Sequence, residues 1–286
     1  MRIRSRNFSC RELREIETRY TTIYRMGSTT PLGAITRVPR VIEINSIDGC
    51  SISSNKIAMK KRFWHAHIRT PKFYLITSEA DPEGSFFNKT RHMLTKWRNG
   101  VIAKRYNSSK GHGIFIIRNE EDIESFMEMI RQTHDYYYKW VFERFSTYSR
   151  EYRLHCTRDG CFYACRKMLK NDADVRWHRH DENSVWITEQ NELFERPECW
   201  DDLVTDCVNA LKALNLDIAA FDVKVQSTDS SIERKPDWVQ KYLILEVNTA
   251  PGLGEVGLQK YKETLPFVID KKIETNSFTN NVRHDS

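Results

Sequence analysis

LDIAAFDVKV (residues 216–225) and YLILEVNTAPGL (residues 242–253) are the two stretches from which the rest of the chain can be read. Both have the length and the β-branched, aromatic composition of strands. Both also carry an acid where an acid is costly: Asp222 interrupts an apolar strand, and Glu246 ends a strongly apolar one. An ionised carboxylate in such a place must be paired or bound to a metal. Glu246 and Asn248 are two apart, so on a strand they share a face. Asp222, Glu246 and Asn248 thus offer two carboxylates and an amide oxygen. That hard oxygen set suits Mg²⁺, with phosphate oxygens and water filling its remaining positions. The competing reading is a pair of carboxylates neutralised by Lys224 or nearby arginines.

Outward from this pair, EYRLHC (151–156) places Arg153 on the same strand face as Glu151 and His155. Arg166 and Lys167 follow CFYAC (161–165), the expected partner strand. An arginine fork suits carboxylate or phosphate oxygens, but cross-strand ion pairing is equally open. Further upstream, Lys104 lies in VIAKR (101–105), and NSSKGHG (107–113) leads into GIFII (113–117). A hairpin tip with Ser108, Ser109, Gly111 and Gly113 can bring backbone N–H groups onto phosphate oxygens, with Lys104 adding charge beneath. An ordinary turn with a solvated lysine is the alternative. His155, Cys156, Cys161, Cys165, His178 and His180 could be assembled into a zinc site on paper. The spacing fits none of the usual knuckles, so buried, unreactive thiols are expected. Tyr136, Tyr137, Tyr138 and Trp140 are expected in an aromatic core. The chain contains no P-loop, no G-x-G-x-x-G, no H-E-x-x-H and no G-x-S-x-G.

The chain has 286 residues, which at about 150 per domain gives roughly two domains. Apolar residues make up 40% and charged residues 29%, so a real core is affordable and a disordered chain is excluded. The net charge of +6 and pI near 8.9 permit an anionic ligand or weak nucleic-acid contact, without a block of like charge. Seven cysteines with no apparent secretory signal are expected to be reduced thiols in the cytoplasm. No apolar run is long enough for a transmembrane helix, so no membrane association is expected. Further strands are expected at 40–44, 72–76, 139–142 and 242–247, and helices at 56–68, 120–133 and 200–214. Residues 227–237 read as a surface loop and the polar tail as frayed. The irregular alternation of elements indicates an α+β fold.

Taken in order, these features resemble the ATP-grasp enzymes. A strand lysine is followed by a Ser/Gly hairpin, a helix, WVFERF (140–145), EYRLHC, the acidic strand and E-V-N-T-A-P-G. YRMGSTTPLG (24–33), Asn55–Lys56 and RTP (69–71) also resemble the R-x-G-x-S/T segment and its sequel in the RimK-type ligases. The resemblance spans about residues 24–254 and implies two α+β subdomains gripping ATP. The expected division is 1–55 as a reduced N-terminal segment, 56–144 as the central subdomain, 145–274 as the C-terminal subdomain with the metal site, and 275–286 as a flexible tail. Lys104 would contact the α-phosphate. Ser108, Ser109, Gly111 and Gly113 would fold over the β- and γ-phosphates, and Phe142, Glu143 and Phe145 would line the adenine and ribose. Asp222, Glu246 and Asn248 would hold Mg²⁺, or Mn²⁺ in its place. Arg153 and Arg166 would face the γ-phosphate and the substrate carboxylate. The implied reaction joins a carboxylate to an amine of an amino acid, peptide or protein terminus through an acyl phosphate, releasing ADP and phosphate. Two departures touch substrate choice: the leading segment is short, and Arg176-Trp177-His178 is not followed by the Gly-Gly pair of the RimK type. A ligase or kinase acting on modified nucleic acid, and a non-catalytic nucleotide-binding module, are the alternatives. The intact acidic trio argues against the last.

Overall fold

A computed structural model describes residues 22–29, 42–108, 113–170, 183–227 and 239–282. Strands β1 (Thr22–Tyr24) and β2 (Ile42–Ile44) form a small parallel pair and lead into helices α1 (Ile47–Ser54) and α2 (Lys56–His65). Next come β3 (Phe73–Tyr74), α3 (Pro82–Lys96), β4 (Val101–Arg105), β5 (Ile114–Ile117), α4 (Glu120–Gln132) and β6 (Trp140–Arg144). The second half holds β7 (Arg150–Thr157), β8 (Gly160–Leu169), β9 (Ser184–Thr188), α5 (Trp200–Ala213), β10 (Ile218–Val225), β11 (Tyr242–Asn248) and α6 (Glu255–Val282). The α+β expectation holds.

Two antiparallel sheets carry the fold. The first has the order β3-β6-β4-β5, with α3 and α4 packed on one face. Ile123, Phe126 and Ile130 recur at helical spacing along α4 and are buried there. Phe126 meets Phe86, Phe115, Trp140 and Phe142 at ring-centroid distances of 5.0–5.7 Å, geometries that add about 0.5–1.5 kcal/mol per pair beyond area burial. The second sheet has the order β11-β10-β7-β8-β9. Its inner face packs on α5 through Tyr152, Leu154, Phe221 and Val223 against Leu203, Cys207 and Leu211. At one end, the outer face is covered by α6 and β2 through Tyr261, Val268 and Ile44. The rest of that face remains for chemistry.

Short links hold the sheets together. Thr70 Oγ1 donates to the Ile244 carbonyl at 2.9 Å, and Ile244 N donates to the Arg69 carbonyl at 2.8 Å. The segment leading to β3 is thereby stitched to β11. Lys56 N donates to the Tyr106 carbonyl at 2.9 Å, fixing the start of α2 against the end of β4.

The helix expected at 56–68 ends at His65, because Ala66 caps it and His67 turns the chain at φ 56°. Helices α1, α3 and α6 were not expected. α3 has a readable start: Asp81 accepts from Gly84 N at 2.8 Å, and Pro82 opens the first turn. α6 contains Pro266, a residue that ordinarily argues against a helix interior. The expected strand at 40–44 lies partly, and the loop at 227–237 largely, outside the described residues. Among those described, six cysteines are free and no helix is long and apolar enough to cross a membrane.

Candidate active site

Strand register brings the acidic residues together. Asp222 on β10 lies opposite Glu246 on β11 and Arg153 on β7. Arg153 grips Asp222 with both prongs of its fork, Nε to Oδ1 at 2.6 Å and the NH2 group to Oδ2 at 2.9 Å. Asn248 Nδ2 donates to Asp222 Oδ2 at 2.8 Å. Neutralisation by an arginine is therefore realised, with Arg153 gripping Asp222, and Glu246 stands beside it in register. Burial pushes the Asp222 carboxyl up, and the Arg153 guanidinium more than reverses this, leaving it below the usual range. Burial, and then the Asp222 charge, raise Glu246 instead. Opposed shifts in two adjacent carboxyls make the pair a candidate functional site.

The first sheet contributes a second cluster. Lys104 Nζ lies 2.9 Å from one Glu143 oxygen, and Lys60 Nζ lies 3.3 Å from the other. Asn55 caps α2 by accepting from Ile57 N and Ala58 N. Lys56 and Lys60 then fall one turn apart on one helix face. Lys56 Nζ donates to the Ser108 carbonyl. The clusters are neighbours: Lys60 donates to Thr70, whose hydroxyl donates to the Ile244 carbonyl two residues before Glu246, and both Lys56 and Lys104 act electrostatically on Glu246. Neither Lys56 nor Lys60 was assigned a site role from the sequence, although the Asn55 cap and the four-residue spacing were visible in it.

Three expectations about site residues change. Phe142 is fully buried in the aromatic core, stacked on Tyr74 at 5.0 Å, so its side chain turns away from the cleft. Glu143, its neighbour on the strand, turns to Lys60 and Lys104 and is buried between them. Arg166 lies opposite Tyr152 in the ladder, with its guanidinium 5.9 Å from that ring, and Tyr152 packs towards α5. Strand alternation therefore puts Arg166 on the far side of the sheet from Arg153. On β8 the cation facing the Arg153 side is Lys167, and the two flank the Trp186 ring at 4.8 and 5.0 Å. Phe145 is half-buried near Arg118. Ser108 Oγ donates to the Arg105 carbonyl at 2.8 Å, and Gly113 has φ +64°. Ser109 and Gly111 lie outside the described residues, as do Arg176, His178 and His180.

His155 is buried, with Nδ1 3.0 Å from the Tyr261 hydroxyl, and burial holds it down to about 3. It is a core imidazole beneath α6. Burial pushes the Cys165 thiol up to about 12, as befits an unreactive group. Among the described residues no three His, Cys, Asp or Glu side chains converge as a metal cluster. Two carboxylates with one amide fit an ion that keeps phosphate and water ligands, as Mg²⁺ does.

No known protein-family profile matches the sequence, and no curated protein sequence matches it. Solved structures do share the fold. D-alanine–D-alanine ligase from Bacillus anthracis complexed with ATP superimposes with a TM-score of 0.62 at 16% identity, covering 94% of this chain and 84% of that one. The ATP-grasp ligase PsnB, complexed with a minimal precursor, gives 0.51 at 16% identity over 76% of this chain and 58% of its own. N5-carboxyaminoimidazole synthase from Aspergillus clavatus, in complex with ADP and its ribonucleotide, gives 0.55 at 11% identity over 84% and 55%.

The chain has the ATP-grasp fold. Within this ATP-grasp fold the lysine cluster belongs to the four-stranded sheet and α2, and the acidic cluster to the five-stranded sheet.

Proposed function

We propose that the chain is an ATP-dependent carboxylate–amine ligase of RimK-like type, working through an acyl phosphate and releasing ADP and phosphate. One observation carries the reading: Lys56 and Lys104 of one half lie near enough to Glu246 of the other to act on it electrostatically, and Glu246 stands in register with Asp222, which Arg153 and Asn248 hold. Cations on one wall and hard oxygen donors on the other suit a triphosphate with its divalent ion. The ATP bound to a solved structure of the same fold supports the choice of nucleotide.

Lys104, anchored by Glu143, binds the α-phosphate, and Lys56 adds charge alongside. Ser108, Ser109, Gly111 and Gly113 cover the β- and γ-phosphates, while Phe145 and the β6 backbone border the adenine. Asp222, Glu246 and Asn248 would hold Mg²⁺, or Mn²⁺ in its place, and the ion would draw charge from phosphate oxygens. Arg153 and Lys167 offer the positive charge that the entering carboxylate and the transferring phosphoryl group require. A carboxylate oxygen attacks the γ-phosphorus and ADP leaves. The amine then attacks the acyl carbon, phosphate leaves, and the amine loses a proton. The work of the protein is positioning and charge neutralisation, with no cysteine or serine nucleophile. We assign residues 1–55, 56–144 and 145–274 to the leading segment and the two subdomains. The substrates are a carboxylic acid and the amine of an amino acid, peptide or protein terminus, in the cytoplasm.

The test is product analysis with hydroxylamine replacing the amine across a panel of carboxylic acids, ATP and Mg²⁺. The expected products are a hydroxamate, ADP and phosphate. AMP and pyrophosphate would show an adenylate instead and overturn the proposal.

A further inference from the structure

We propose that Trp186 is a positioning residue whose indole, lying across β8, holds Arg153 and Lys167 as a two-cation seat for an oxyanion, which on the ligase reading is the substrate carboxylate. The seat itself follows from geometry; only the name of its anion rests on that reading. The ladder places the parts. Arg153 pairs with Cys165, and Cys165 with Thr188; one row along, Glu151 pairs with Lys167, and Lys167 with Trp186. Residues two apart on a strand share a face, so Arg153, Lys167 and Trp186 stand on one side of the sheet. Neighbouring strands lie about 4.8 Å apart, which puts β9 about 10 Å from β7. Yet the Arg153 guanidinium carbon is 4.8 Å from the centre of the Trp186 ring. Arg153 does not supply that reach, because its fork is turned to Asp222 on β10, the strand on the other flank of β7. The indole supplies it by leaning over β8, where the Lys167 ammonium stands 5.0 Å from the same ring.

The ring is not core. Among the described residues it joins none of the hydrophobic clusters, and it is 36% exposed on an edge strand. Its partners are the two cations. The face of an indole attracts a cation through the ring quadrupole, so two like charges are gathered beside Asp222 without being neutralised. An Asp or Glu on β9 would gather them equally well and cancel the charge that an anion needs.

Both cations keep binding capacity near the acids. Asp222 takes Nε and the NH2 group of Arg153, and the NH1 group has no hydrogen-bonding or ion-pair partner among the described residues. Lys167 is near enough to Asp222 to act on it electrostatically. A fork end and an ammonium over one ring suit the oxygens of a single carboxylate or phosphoryl group.

The experiment follows the Arg153 Nε–H signal in the full chain carrying isotope-labelled arginine, identified as the signal lost in Arg153→Lys, during titration with sodium acetate without nucleotide. Acetate should shift it saturably. Trp186→Leu should weaken acetate binding about tenfold, as expected for the loss of two cation–π contacts, and should speed Nε–H exchange with water. Trp186→Phe keeps a ring and should recover most of both. Melting temperatures should agree among the three chains, since the indole lies outside the cores. No saturable shift in the parent chain would overturn the proposal, as would acetate affinity that Trp186→Leu does not alter or that Trp186→Phe restores no better than leucine. The kinetic arm uses an acid that yields a hydroxamate: Trp186→Leu should raise its KM about tenfold and leave the KM for ATP unchanged. The reverse split would give the seat to the γ-phosphoryl group and overturn its assignment to the carboxylate. If no acid yields a hydroxamate, the ligase reading falls, while the acetate titration still decides the seat.

Discussion

The Glu143 carboxylate lies between two ammonium groups, Lys104 at 2.9 Å and Lys60 at 3.3 Å. Lys60 is fully buried and Glu143 nearly so. Lys60 also donates to Thr70, whose hydroxyl donates to the Ile244 carbonyl of β11. The carboxylate behind Lys104 is thus tied, through Lys60, to the strand that carries Glu246. Glu143→Gln leaves one buried and one half-buried cation without their anion and should destabilise by about 3 kcal/mol in urea unfolding. Lys60→Met leaves Glu143 its other partner and should cost less. The double variant should lose less than the sum, by at least about 1 kcal/mol. Strict additivity would show that the three groups do not act as a unit.

His155 sets an acid sensitivity. Burial holds its folded-state value down to about 3, against roughly 6.5 in an unfolded chain. Between those values the unfolded chain binds more protons, so stability rises with pH across the window and is lost as pH falls through it. At its steepest this amounts to about 1.4 kcal/mol per pH unit. His155→Gln should flatten that part of the stability profile. An unchanged slope between pH 6 and 4, roughly the middle of the window, would place the sensitivity elsewhere.

Arg153 is held by geometry as well as charge, because both prongs engage Asp222. Arg153→Lys keeps the charge and loses the fork. If the ligase reading holds, kcat should fall by about 100-fold with a smaller change in the KM for ATP. A change in KM alone would make Arg153 a binding residue.

Glu246→Gln is nearly isosteric and removes a charge from the oxygen set. ATP turnover dependent on Mg²⁺ should disappear while the melting temperature is kept or rises, since Glu246 and Asp222 repel each other. Undiminished turnover would remove Glu246 from the metal site.

Gly113 adopts φ +64°, and a Cβ there would lie 3.0 Å from Arg105 Cβ and 3.1 Å from Ser108 Cβ. Gly113→Ala should cost about 1–2 kcal/mol from the left-handed backbone alone, read from urea midpoints at constant m. A neutral result would mean that the hairpin base can shift to accommodate the methyl group.

The sequence was most legible where period and chemistry coincided. Asp222, Glu246 and Asn248 could be placed because strand alternation fixes which side chains share a face, and the same rule, with register, separates Arg166 from Arg153. That register was hidden, since nothing local sets how β8 aligns on β7. Phe142 and Glu143 show the same limit: one of two neighbours must face the core, and only the packing of α3 and α4 decides which. Lys56 and Lys60 carried a visible helical spacing, but a lysine on a helix is ordinarily solvated, and here Glu143 of β6 and the Ser108 carbonyl take up their ammonium groups. Helix α6 was masked by Pro266, and α1 by its small polar residues, Ser51, Ser53 and Ser54.

Asn45, at φ 64°, has a further consequence. Its side chain accepts from Asp217 N at 2.9 Å and Ile218 N at 3.1 Å and donates to the Ile218 carbonyl at 2.9 Å, while its own backbone N–H donates to Asp217. One side chain from the leading segment therefore completes the hydrogen bonding at the mouth of β10, four residues before Asp222. A chain trimmed to begin at Asn55 would strand those buried amides, and the resulting fraying would travel straight along β10 to the acids. Residues 42–46 act as a keystone for the strand that carries Asp222. Limited proteolysis there should extinguish activity before either large sheet unfolds.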